Sequence, residues 1–153
     1  MRVLALIFVI TFRSAPVGAD GPVPAVNVDA SGAALHGYDA VAYFSQHAAV
    51  KGDARFALTW SGATWLFATA SNRDRFADNP ASYAPQFGGY CSWAVSRNYT
   101  ADIEPEAFDV VNGKLYLNYS KAVQLRWKLD RAGNIGKAEQ NWPRLVAPAK
   151  GTK

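Results

Sequence analysis

Cysteine is almost missing from this chain. Cys91 is the only one, which excludes a disulfide framework and any zinc site built from several thiolates. Long apolar runs are missing too. The longest, Val3 to Phe12, is well short of the ~20 residues that cross a bilayer. There is no glycine-rich phosphate loop, no His-Glu-x-x-His helix and no serine in a nucleophile elbow. Charge of one sign is scarce: 16 basic residues stand against 12 acidic ones. That excess is too small to imply nucleic acid, which needs a clustered basic face.

What is present begins with a processing pattern. Met1-Arg2 gives a short positive start, the apolar run follows, and Val17-Gly18-Ala19 puts small residues before Asp20. This order predicts a signal peptide over residues 1–19 and a soluble mature chain, periplasmic or secreted, with no transmembrane segment. A buried N-terminal strand or helix is the plainer alternative. Cleavage would leave fourteen basic and twelve acidic residues, unevenly spread. Residues 20–109 hold five basic and ten acidic side chains, and residues 110–153 hold nine and two. The C-terminal region is thus basic, either as a solvated helix partly paired with the acidic body or as a docking face for an anionic partner or membrane surface.

The remainder has the composition of one globular domain, half hydrophobic and 13% aromatic. Residues 20–34, rich in Pro, Gly, Ala and Asp, read as an extended arm, with ordered structure starting at Leu35. His36-Gly37-Tyr38-Asp39 and Lys51-Gly52-Asp53 read as turns, and Val41–Phe44 as a turn of helix or a short strand. Two aromatic, β-branched runs around Ser61-Gly62 predict a hairpin, and Asn112-Gly113 predicts another. Ser71 with Asp74 looks like a capping box opening a short helix that ends at Asn79-Pro80, after which Pro80 opens another turn. The run after Gly88-Gly89 is expected to be a short helix. Ser120 is placed to cap a helix from Lys121 to about Leu129, with Ala122, Val123, Leu125 and Trp127 inward and Lys121, Gln124, Arg126 and Lys128 outward. Gly133-Asn134 should break it, a last helix should run from Ile135 to Trp142 and stop at Pro143, and residues 146–153 should fray. The expected fold class is α+β: a small single domain of two β-hairpins packed with short helices and a C-terminal helix.

Several stretches resemble the YHS domain family, in particular its small exported bacterial members. They are Gly37–Phe44, the hairpin through Trp60–Phe67, Asn72–Phe76 with Pro80 and Tyr83, Ala84-Pro85-Gln86, Gly88–Cys91, Asn118-Tyr119-Ser120 and Asn141-Trp142-Pro143. Together they span residues 35–145. The resemblance implies a small metal-binding module whose thiolates suit copper or zinc. In the family pattern, cysteines stand at the positions of Ala42, Ala68 and Asn72, so that thiolate cluster is absent here.

Cys91 and His36 are the remaining candidate metal ligands, and both would have to lose protons to bind copper or zinc. Tyr38, Asp39, Tyr43, Tyr90 and Trp93 are candidates to line a ligand site. Cys91 can equally be a small buried hydrophobe, or a reactive thiol favoured by a helix N-terminus. His47 reads as an exposed loop residue, Asp102, Glu104 and Glu106 as a solvated loop. Trp60, Trp65, Tyr90, Trp93 and Tyr116 line either a pocket or the core. Three functions stay open. The first is an exported, non-catalytic binding protein that handles a transition metal. The second is a metal-free protein-interaction module, and the third is a thiol-dependent redox protein using Cys91.

Overall fold

Two tight turns set the frame of the computed structural model, which describes residues 22–147. Ser61 and Gly62 both have positive φ, 51° and 73°, and so do Asn112 and Gly113, 51° and 72°. Such a pair matches the right-handed twist of the strands it joins. The first turn closes β1 (Asp53–Trp60) onto β2 (Ala63–Phe67), and the second closes β3 (Phe108–Val111) onto β4 (Lys114–Leu117). Each pair is an antiparallel two-stranded sheet. Around them lie α1 (Ala42–Ser45), α2 (Ala70–Asp78), α3 (Pro80–Tyr83), α4 (Ser92–Ser96), α5 (Lys121–Leu129) and α6 (Arg131–Leu145). The fold is therefore α+β with a C-terminal helix, as the sequence predicts.

Two connected cores hold these elements. Trp65 and Phe67 of β2 pack on Phe76 of α2, with Tyr43, Leu115 and Leu117 buried beside them. Tyr116, on the other face of β4, stacks on Trp127 of α5 among Phe87, Val95 and Ala138. β4 thus contributes to both cores because alternate side chains of a strand point to opposite faces.

Several boundaries differ from the sequence expectation. The N-cap of α2 is Thr69, whose Oγ1 accepts from Asn72 N at 3.1 Å, and not Ser71; Asp74 pairs with Arg73 instead of closing a capping box. Lys51 does not sit in a turn but bridges Tyr38, and Gly52 N donates to Gly37 O. The break after α5 falls at Asp130, whose carboxylate caps α6 by accepting from Gly133 N. Gly133, Asn134 and Pro143 all lie inside α6, which therefore begins earlier and ends later than predicted. The arm is tied down along its length. Ala34 N donates to Thr64 O, Asn27 N to Gly88 O, and Val23 bridges Val146. Val146 and Ala147 are consequently held, while residues 148–153 and the expected signal peptide lie outside the described residues.

α5 carries the largest departure. Its Ser120 cap is as expected, accepting from Val123 N, and Trp127 is fully buried. Gln124, placed outside from the sequence, is only 5% exposed, and its amide donates to Phe108 O and Asp109 Oδ2. Leu125, placed inside, is 65% exposed, and Ala122 is exposed as well. A polar residue that supplies two hydrogen bonds to the β3 edge has displaced an apolar one from the inward face.

Candidate functional site

Cys91 is the N-cap residue of α4 and bridges Leu117 of β4 in parallel. Its backbone N donates to Ala101 O. These ties bury the thiol to 1% exposure. Sγ accepts from Tyr119 N at 3.3 Å and faces Asn118 Oδ1 at 3.8 Å, the reach of a weak S–H donor. Burial pushes the thiol pKa up; the amides of Ala94, Tyr119 and Trp93 pull the other way and do not overcome it. The helix N-terminus that could have favoured a thiolate is outweighed by desolvation.

Asn118 organises this corner. Its Oδ1 also accepts from Trp93 N at 3.2 Å, its backbone N donates to Ala107 O, and its own carbonyl accepts from Glu104 N. It is fully buried, and its Nδ2 and the nearby Ser92 Oγ have no hydrogen-bond partner. The sequence marks Asn118 only as the end of the second hairpin and as part of one stretch resembling the YHS family, not as a site residue.

Above the thiol lies a recess of about 300 Å³. Cys91 and Ala94 line its inner part with Trp93, Ala101 and Val123, and Tyr99, Tyr119 and Arg126 complete it. Tyr99 and Tyr119 are half or more exposed. The guanidinium of Arg97 stacks on Trp93 at 3.5 Å from the ring centroid. No carboxylate among the described residues lies within ion-pair distance of Arg126. The recess is thus mainly aromatic and apolar with one uncompensated cation, the composition of a small-ligand site.

The other expected site residues are dispersed. His36 Nε2 meets Asp102 Oδ1 at 2.7 Å, and the same oxygen accepts from Asn27 Nδ2 and Ile103 N. Asp102 is therefore a structural acceptor rather than merely solvated. Tyr38 donates to Glu106 and Tyr43 to Pro105 O; burial raises the pKa of Tyr43 steeply. Tyr90 packs on Trp142. Asp39 is fully buried and accepts four hydrogen bonds, from Val41 N, Ala42 N, Ala68 N and Asn72 Nδ2. Only Cys91 and Trp93 of the expected set share the recess. No hydrogen bond joins Cys91 to His36. Among the described residues no three His, Cys, Asp or Glu side chains gather closely enough to hold a metal ion. Trp60 and Trp65 pack edge to face within the first core, with Trp65 Nε1 donating to Trp60 O.

No family model, no curated protein and no solved structure matches this chain.

Proposed function

We propose that this chain is an exported, non-catalytic binding protein related to the YHS domains, and that its site is the aromatic recess over Cys91. The observation that carries the reading is that recess: a mainly apolar hollow of about 300 Å³ beside Arg126, which has no carboxylate partner among the described residues. Such a site suits a compact aromatic or apolar molecule bearing one anionic group, with Trp93 and the two tyrosines against its body and Arg126 against its charge. The held, protonated thiol argues for lining rather than chemistry.

Support for the family resemblance comes from elsewhere. Ala42, Ala68 and Asn72, the positions of the family's cysteines, all converge on the carboxylate of Asp39. Asp39 thereby ties residues 39–42 to residues 68–72, through the backbone amides of Ala42 and Ala68 and the side chain of Asn72, and none of the three is a thiol here.

Ligand screening by thermal shift, using small aromatic carboxylates, tests the reading. Stabilisation should occur in the parent and vanish in Val123→Trp, which fills the recess, and weaken in Arg126→Gln. Copper and zinc titrations run alongside. Tight binding abolished by Cys91→Ser would favour the metal version that the resemblance implies. If neither the carboxylates nor the metals bind, the binding-protein reading falls. Amino-terminal sequencing of the protein recovered from the periplasm should begin at or near Asp20; full-length protein confined to the cytoplasm would refute export.

A further inference from the structure

Among the described residues nothing covers the outward face of α5. Leu125 is 65% exposed and Leu129 88%. Ala122, one turn away on the same face, is exposed too, so the three form an apolar ridge at helical spacing. Cations flank it on both edges, Lys121 and Lys128 on one and Arg126 on the other. No acidic residue occurs within α5. The nearest carboxylates are accounted for. Asp109 is largely buried beneath Lys128, at 3.2 Å, and Arg131; Asp130 caps α6; Glu106 meets Tyr38, and its backbone carbonyl accepts from Lys121. Exposed Tyr119 precedes the Ser120 cap of the helix, and exposed Tyr99 shares the recess wall with Arg126.

We propose that this face of α5 docks the protein onto an anionic lipid surface. An apolar ridge edged by cations and bordered by tyrosines is the composition of an element lying in the plane of a bilayer interface, the leucines entering the acyl boundary and the cations meeting phosphate. Charge argues against a second copy as the occupant, because a two-fold contact would set these cations against their own equivalents. Three of the nine basic residues of 110–153 lie on α5 beside this ridge. The ridge is separable from the recess, since neither Leu125 nor Leu129 lines it, whereas Arg126 and the two tyrosines border both; the leucine pair is therefore the variant that tests the face alone.

Vesicle co-sedimentation tests it on the chain from Asp20, which keeps every described contact and lacks the apolar run that would bind vesicles by itself. Binding should appear with phosphatidylcholine vesicles containing about one third phosphatidylglycerol and fall steeply with added salt. Leu125→Gln combined with Leu129→Gln should lower partitioning by roughly tenfold or more, and Arg126→Gln by about fivefold. Both variants should keep the parent's circular dichroism and melting temperature, because the changed side chains are exposed. Equal binding to pure phosphatidylcholine, no binding to either vesicle, or unchanged binding of the leucine pair would overturn the proposal. So would a concentration-dependent dimer that the leucine pair abolishes, which would assign the face to self-association.

Discussion

Asp39 Oδ2 and Asn72 Nδ2 meet at 2.7 Å, and both residues are buried. The contact joins the turn before α1 to the first turn of α2. Asp39 also holds Ala68 N, at the end of the first hairpin, and two amides at the start of α1. One carboxylate thus ties the start of α1 to the junction between β2 and α2, about thirty residues further on.

Removing it should be severe. Asp39→Ala leaves three backbone N–H groups and the Asn72 amide without their acceptor, and is expected to cost on the order of 3–5 kcal/mol. Asn72→Ala removes a single donor and should cost about 1–2 kcal/mol. Urea unfolding midpoints of both variants measure this. A loss from Asp39→Ala no larger than that from Asn72→Ala would show that the backbone amides find other partners.

Cys91 should behave as a buried, protonated thiol. Cys91→Ser keeps a donor and an acceptor for Asn118 and Tyr119 and should cost about 1 kcal/mol, whereas Cys91→Ala orphans Tyr119 N and should cost about 1–3 kcal/mol. In the folded parent, alkylation at neutral pH should be far slower than in urea. Rapid alkylation of the native protein under mildly acidic conditions would instead favour a redox role.

The hairpins were legible in the sequence because Ser61-Gly62 and Asn112-Gly113 carry their own backbone preference, and a two-residue turn fixes register by itself. Cap positions were less so. Thr69 and Ser71 are both good cap residues, and the choice between them depends on how α2 meets β2. The faces of α5 were misread for a deeper reason. Periodicity sorts residues by polarity, and it cannot foresee that Gln124 will find Phe108 O and Asp109 as partners while Leu125 is left outside. The recess was half legible. Cys91 and Trp93 lie close together in the chain, but Tyr119, Val123 and Arg126 reach it only through the pairing of Cys91 with β4.

Stability should hold through neutral pH and fall in alkali. The pKa values of Cys91, Tyr43, Tyr90 and Tyr116 are all raised by burial in the folded state. A raised value means that the folded protein keeps protons the unfolded chain releases. The stabilisation from these groups is complete below their ordinary ionisation range and is lost as pH rises through the folded values. Melting temperature should therefore decline from about pH 9 upward. Phenolate absorbance from the fully buried Tyr43 should appear only with unfolding; ionisation of all the phenols ahead of the melting transition would contradict this account.

Gly88 is one of the points where the N-terminal arm meets the body, and a methyl group there should loosen the arm between its ties at Val23 and Ala34. Its φ is +61°, within a left-handed stretch shared with Phe87 and Gly89. An added Cβ would collide with the backbone carbonyl of Ala25, and this neighbour is main chain that cannot rotate away. Gly88 O also accepts from Asn27 N at 2.8 Å, while the Asn27 side chain bridges Gly89 O and Asp102. Gly88→Ala therefore combines backbone strain with a clash and should cost roughly 2–4 kcal/mol. The arm should become cleavable by protease within residues 22–34 before the body unfolds. Gly62→Ala separates the two causes. Its φ is +73° but nothing lies within 4 Å of an added Cβ, so only the conformational penalty of about 1 kcal/mol applies. If the two variants lose equal stability and the arm of Gly88→Ala stays protected, the close approach to Ala25 is not what reserves this position for glycine.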